Sequence, residues 1–354
     1  MAGRYSPNPP PPTRTAFRGG HLPLPVPLPA PQPVSRPGNP TDGGTQGAHP
    51  LDLALTLGPL RRGPADPTFR TTPDGSIWRV TRTPEGPATL RVRPRATAAD
   101  DDHAAHAAEP ARPETEIWGP GAAWLERNLP ALLGAGDDPA AFTPRHKLLA
   151  ATHRRRPGLR LTRTGLVMES LIPSVLEQKV TSDEAYASWR VLVRKYGEPA
   201  PGPAPTGMYA MPDPGTWARI PSWEWHKANV DNSRSATIIR AVRVAPRLEE
   251  AARMDPPAAR KRLELVPGIG PWTSAETIQR SNGAADEVTT GDLHLPGIVG
   301  WALAGERTAD DARMLELLAP YEGQRHRAAR LILLSGRVPP RRAPRMAPGR
   351  ITHL

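Results

Sequence analysis

The stretch LELVPGIGPWTSAE, residues 263–276, sets Gly268-Ile269-Gly270 between two runs with helical spacing. A helix that stops near Val266, a tight turn and a helix reopened by Pro271 need backbone conformations that a Cβ resists, which glycine supplies. Proline suits the first helical position, because its missing N–H would have no partner there. Such a junction presents several N–H groups at the positive end of a helix dipole, an arrangement that holds phosphate without reading sequence. Ile269 is expected to pack the tip down between the helices. A plain helix–turn–helix corner, with glycines placed only for packing, fits the same residues.

The carboxylate of VTTGDLHLPGIV, Asp292, lies 20 residues beyond Trp272. One helix and a short loop separate the two, so Asp292 opens the next helix and can stand near Trp272. Two roles fit it and do not exclude each other: N-cap of the helix over Leu293–Leu303, worth about 1 kcal/mol, and an acid that faces a reacting centre.

Composition narrows the partner. The 354 residues carry a net charge of +11, which favours an anionic surface such as nucleic acid. There is no cysteine, hence no disulfide, no thiolate-held zinc, no iron–sulfur cluster and no thiol nucleophile. No stretch reaches the roughly 18 apolar residues of a membrane span, and alternate prolines in HLPLPVPLPAP (21–31) forbid the apolar helix of a signal peptide. The expectation is a cytoplasmic, nucleoid-associated monomer without membrane contact.

Along the chain, residues 1–50 form a Pro-rich leader too poor in apolar surface to order. Residues 51–135 read as a small α+β domain. Its strands run to about residue 118, with Ile77, Val80, Leu90 and Val92 on one buried face. Residues 96–114 interrupt it as an Ala-rich surface insertion, whose His103 and His106 lack further ligands for a metal. Residues 136–336 read as all-α, and 337–354 as a basic flexible tail. Within the helical part, TSDEAYASWRVLVRKYG opens on capping residues, a Pro-rich connector covers 199–214, and helices are expected near 214–220, 233–250, 256–266, 271–281, 293–304, 310–319 and 323–335.

Taken together, LVPGIGPWTSAETIQR (265–280), VTTGDLHL (288–295), GLVMESLIPSVLEQKV (165–180), IPSWEWHKANVDNSRSATIIRA (220–241) and LELLAPYEGQRHRAARLILL (315–334) resemble the helix-hairpin-helix DNA glycosylases, in their 3-methyladenine DNA glycosylase II branch. The resemblance spans about residues 50–350. It implies a TATA-binding-protein-like α+β domain followed by a helical domain, with damaged double-stranded DNA as partner. It implies Asp292 as the catalytic acid, and Gly268, Ile269, Gly270 and Thr273 as the phosphate-holding hairpin, where relatives often carry a monovalent cation. Trp272 stands where strand-cleaving relatives have a Schiff-base lysine, so hydrolysis of alkylated purines without a lyase step is expected. Trp272 then offers either a face for a cationic base or a core contact. Glu276 and Leu293 occupy pocket positions that are tyrosines in the best-known relatives. Gln178 and Lys179 fall where the duplex is wedged, and Lys179 either wedges or meets a phosphate. A hairpin protein that binds DNA without chemistry, and a glycosylase for deaminated or oxidised bases, are the alternatives.

Overall fold

A computed structural model describes residues 51–94 and 113–340. The leader, most of the 96–114 insertion with His103 and His106, and residues 341–354 of the tail lie outside the described residues. The first element among the described residues is a helix, α1 (Leu53–Leu57), where alternating Leu reads as strand. Asp52 decides it, because its Oδ1 accepts the Leu55 N–H at 2.9 Å and caps the turn.

Four strands follow as an antiparallel meander in the order β1 (Phe69–Thr71), β2 (Ile77–Thr83), β3 (Gly86–Arg93) and β4 (Glu114–Trp118). Glu114 already pairs with Arg93, so the insertion ends before it. The sheet does not have the single buried face expected of it. Ile77 pairs with Val92, and this side packs with Leu90 against α1 and against Leu125 and Leu132 of α2 (Ala122–Leu132). Trp78 and Val80 point the other way and are buried as well. The cover comes from the Pro-rich connector: after α3 (Lys147–Arg155), α4 (Val167–Leu176) and α5 (Ser182–Tyr196), a short ribbon of β5 (Glu198–Pro199) and β6 (Tyr209–Ala210) brings Met208 and Ala210 onto Trp78.

The remaining helices are α6 (Pro214–Arg219), α7 (Ser222–Lys227), α8 (Asn232–Arg243), α9 (Ala245–Glu249), α10 (Pro256–Glu264), α11 (Pro271–Ser281), α12 (Leu295–Ala304), α13 (Asp311–Leu318) and α14 (Arg325–Leu334). The single helix expected over 233–250 breaks at Val244, since Pro246 has no N–H to continue it. Helices α3 and α7 were not expected from the sequence. The capping signal at Thr181 is realised: its side chain accepts from Glu184 N while Glu184 accepts from Thr181 N, so both ends of the box close.

Helix α4 is the axis of the larger core. Val167, Leu171, Ile172, Val175 and Leu176 are buried against Trp189, Trp217, Trp225, Ile238, Leu263 and Ile278. Each such aliphatic side chain contributes about 1.5–3 kcal/mol of burial. Of SWEWH, Trp225 belongs to this core while Trp223 stays exposed. A second core joins Leu149 of α3, Val299 of α12, Met314 of α13 and Leu331 of α14.

Buried polar links fasten the sheet to the helices. Arg79 and Thr81 both donate to Glu169 of α4, and Arg62 Nη1 meets Glu177 Oε1 at 3.0 Å. Trp189 Nε1 donates to Asp66 Oδ1 at 3.0 Å. Among the described residues no helix is long and apolar enough to cross a membrane.

Candidate active site

The hairpin joins α10 to α11. Ser274 Oγ donates to Glu264 Oε1 at 2.7 Å and ties the two helices together. Val266 and Ile269 are buried in the core around α4, so the tip is pinned from beneath. Gly268 has φ +99°, a conformation that L side chains rarely adopt, and a Cβ there would lie 2.1 Å from Thr237 Oγ1. Gly270 is different. Its φ of −108° is ordinary extended backbone, and a Cβ would meet nothing within 4 Å. Only one of the two glycines is therefore demanded by the turn, which corrects the reading that both are.

The hairpin carbonyls are well held. Ile269 N donates to Val266 O at 3.0 Å, Arg240 Nε to Pro267 O at 3.0 Å and Gln178 Nε2 to Gly268 O at 3.0 Å. Gln178 Nε2 also donates to Thr273 Oγ1 at 2.8 Å, and Thr273 is itself buried. The amides of Gly268, Gly270, Trp272 and Thr273 have no backbone partner among the described residues, so the open end of α11 presents donors. Next to Gln178, Lys179 is exposed and held at φ +56°.

Asp292 stands directly beside this helix end. Trp272 Nε1 donates to its Oδ2 at 3.0 Å. Its Oδ1 accepts the N–H groups of His294 and Leu295, each at 2.8 Å. The helix expected from Leu293 opens only at Leu295, with His294 rather than Asp292 at its cap position. One carboxylate thus holds the amides that lead into a helix with one oxygen and an indole with the other. Partial burial pushes the Asp292 carboxyl upward, but the Trp272 N–H and the two amides outweigh it and leave the group below the ordinary aspartate range. It is ionised at neutral pH.

A cavity of about 350 Å³ lies alongside. Glu276 enters it one helical turn after Trp272, Thr289 three residues before Asp292, and Leu295 three residues after it; Gln279, Arg280, Glu287, His326 and Arg330 add to its polar side. Of the three residues expected to form a pocket, only Glu276 lines this cavity. Trp272 and Asp292 do not line it; Asp292 adjoins it through Leu295, whose N–H it accepts, and Leu293 is 84% exposed. A larger hollow of about 530 Å³ lies on the outer face of the sheet around Trp78 and Trp118 and shares no residue with the site. Among the described residues no three His, Asp or Glu side chains gather to hold a metal ion.

No family model and no curated protein matches the sequence. Solved structures do match in shape. The 3-methyladenine DNA glycosylase of Archaeoglobus fulgidus superposes with a TM-score of 0.63 at 16% identity, over 81% of this chain and 96% of that one. MBOgg1 in complex with a low-affinity DNA ligand gives 0.62 at 16% identity, over 81% and 92%. The 8-oxoguanine glycosylase/lyase of Clostridium acetobutylicum, in complex with double-stranded DNA containing cytosine opposite 8-oxoguanine, gives 0.61 at 11% identity, over 81% and 92%.

The chain has the fold of the helix-hairpin-helix DNA glycosylases.

Within this glycosylase fold the hairpin residues, Gln178, Trp272, Glu276 and Asp292 are brought together, while Leu293 is not. Sequence reasoning missed Thr237 and Arg240, which brace the hairpin, and Arg280, Thr289, His326 and Arg330, which shape the cavity. Arg280 was within reach, since it follows Glu276 at i+4 on one helix. The residues of α14 had no local signal. In the basic run HRRRPGLRLTR, Arg154, Arg155 and Arg156 are exposed, whereas Arg160 and Arg163 donate to backbone carbonyls.

Proposed function

We propose that the protein is a monofunctional DNA glycosylase that hydrolyses the N-glycosidic bond of alkylated purines extruded from duplex DNA. The observation that supports this most directly is the ionised Asp292 bonded to Trp272 at the open end of α11, beside a cavity. Breaking an N-glycosidic bond builds positive charge on the sugar. A fixed carboxylate stabilises that charge and orients the attacking water, and it needs no reorganisation when already held by three N–H groups.

The target must leave the stack to reach such an acid. On this reading the hairpin amides and Arg240 hold phosphate on the strand, while Lys179 stands next to them where the extruded nucleoside leaves a gap. A base alkylated on a ring nitrogen carries positive charge, and the Trp272 face favours it by about 1–2 kcal/mol when water is excluded. Such a base is already a good leaving group, so no general acid is needed. Position 272 offers no amine for a Schiff base. No cation at the hairpin is needed on this reading, because Arg240, which donates to Pro267 O at 3.0 Å, already brings a fixed positive charge there.

Mass spectrometry of bases released from methylated duplex tests the reading: methylated purines are expected, with no adduct trapped by borohydride. Binding without release would leave only a DNA-binding role.

Trp272→Phe removes one donor to Asp292. The depressed pKa keeps the carboxylate charged as pH falls, and activity is lost only as pH drops through it. In Trp272→Phe that acid limb is expected to move up toward the ordinary aspartate range. Single-turnover rates of both proteins, from the lowest pH at which the duplex stays intact up to neutral, check this.

A further inference from the structure

The cavity beside Asp292 is lined by four charged side chains, Glu276, Glu287, Arg280 and Arg330. Glu287 is already answered from outside, since its two oxygens accept from Arg260 Nη2 at 2.6 and 2.7 Å. An incoming base therefore meets two guanidiniums and one carboxylate. Arg330 donates to Leu55 O at 2.9 Å and forms no ion pair among the described residues. Burial and the nearby Arg280 and Arg327 bring it down to about 10, which still leaves it charged at neutral pH. His326 adds no charge, because burial, then Arg330, Arg280 and Arg327, hold it well below the ordinary histidine range.

Glu276 is fixed at both oxygens. Thr289 Oγ1 donates to Oε1 and Arg280 Nη1 to Oε2, each at 2.8 Å, and its side chain is only 17% exposed. Two hydrogen bonds do not exhaust the lone pairs of a carboxylate, so it can still accept from a base.

We infer that Glu276 is a specificity-determining residue: its carboxylate is the counter-charge that admits a cationic base to a cavity otherwise dominated by Arg280 and Arg330, and it selects cationic over neutral damaged bases. The inference rests on the glycosylase reading above. Without that carboxylate, a positively charged purine would face two like charges in a partly buried space where screening is weak. A neutral base of the same shape would feel little difference.

The test is single-turnover release of 7-methylguanine and of neutral hypoxanthine from otherwise identical duplexes. Wild type is compared with Glu276→Gln, Arg330→Gln and the double variant. Glutamine keeps the length and an acceptor oxygen, so the change is mainly one of charge. Glu276→Gln is expected to slow 7-methylguanine release about a hundred-fold and hypoxanthine release less than about threefold. Adding Arg330→Gln, which restores the cavity's net charge, is expected to recover about tenfold of the loss.

Equal loss of both bases in a variant of unchanged melting temperature overturns the inference, as does no change in either. If Glu276→Gln does not fold, Arg330→Gln decides alone: it is expected to raise the ratio of 7-methylguanine to hypoxanthine release, and an unchanged or lower ratio overturns the inference. A wild type that releases hypoxanthine but no methylated base overturns this inference and the alkylated-purine assignment, and leaves a glycosylase for deaminated bases. Release of neither base overturns both.

Discussion

Asp292→Asn is expected to slow base release by about 10²- to 10³-fold, which is what removing one preorganised electrostatic stabiliser of a transition state typically costs. The geometry says why asparagine cannot substitute quietly. The carboxylate serves two ends at once, accepting from the amides of His294 and Leu295 with Oδ1 and from the Trp272 indole with Oδ2. An amide has a single acceptor oxygen. If it keeps the two amides, its NH₂ confronts the indole N–H, donor against donor, and the hydrogen bond to the indole breaks. If it turns, the amides of His294 and Leu295 lose their acceptor at about 1 kcal/mol. Either way the negative charge that would face the sugar is gone. Duplex binding is expected to change less than about threefold, because the hairpin is untouched. Abasic-site formation under single-turnover conditions, measured with binding on the same duplex, separates the two. Activity within tenfold of wild type would remove Asp292 from the chemistry.

The second large effect is expected at Gly268. An added Cβ would sit 2.1 Å from Thr237 Oγ1 and 3.0 Å from its Cγ2, in a backbone conformation that alanine resists. Left-handed backbone costs roughly 1–2 kcal/mol and forced overlap roughly 1–3 kcal/mol more. Gly268→Ala should therefore lower the melting temperature by about 5–10 °C. The damage is not confined to stability. Gln178 is bonded to Gly268 O, and Arg240 braces both Thr237 and Pro267 O, so displacing the turn loosens every brace of the α11 end. DNA affinity should fall, and the slope of its logarithm against that of salt should decrease by about one for each phosphate that the hairpin no longer grips. Thr237→Ala in the same chain removes the worst overlaps and leaves the φ strain, so it should recover part of the stability. No recovery would locate the cost elsewhere. Gly270→Ala serves as the contrast, with a small effect expected.

Much of this was legible because it is local. Pro271, the helices around it, the Thr181–Glu184 box and the placement of Asp292 ahead of α12 all follow from residues within a few positions of one another. Local signals also misled. The alternation of LDLALTL looks like a strand until the Asp52 cap is considered, and Gly-Ile-Gly does not reveal which glycine carries the positive φ. The rest was out of reach for a physical reason. The second face of the sheet is buried by β6, more than a hundred residues downstream, and Arg330 and His326 reach the cavity from α14. Leu293 was misplaced by one step: Asp292 turns inward to bond Trp272 and two amides, and its neighbour is left facing water.

Arg280 Nε donates to Pro59 O at 3.1 Å, so the guanidinium that grips Glu276 is itself gripped by the segment leading into the sheet. Lesion choice is therefore not portable with the helices alone. A shortened version beginning after Pro59 would keep the hairpin and Asp292 yet lose the anchor of its discriminating charge. It would be expected to excise less selectively than the 354-residue chain.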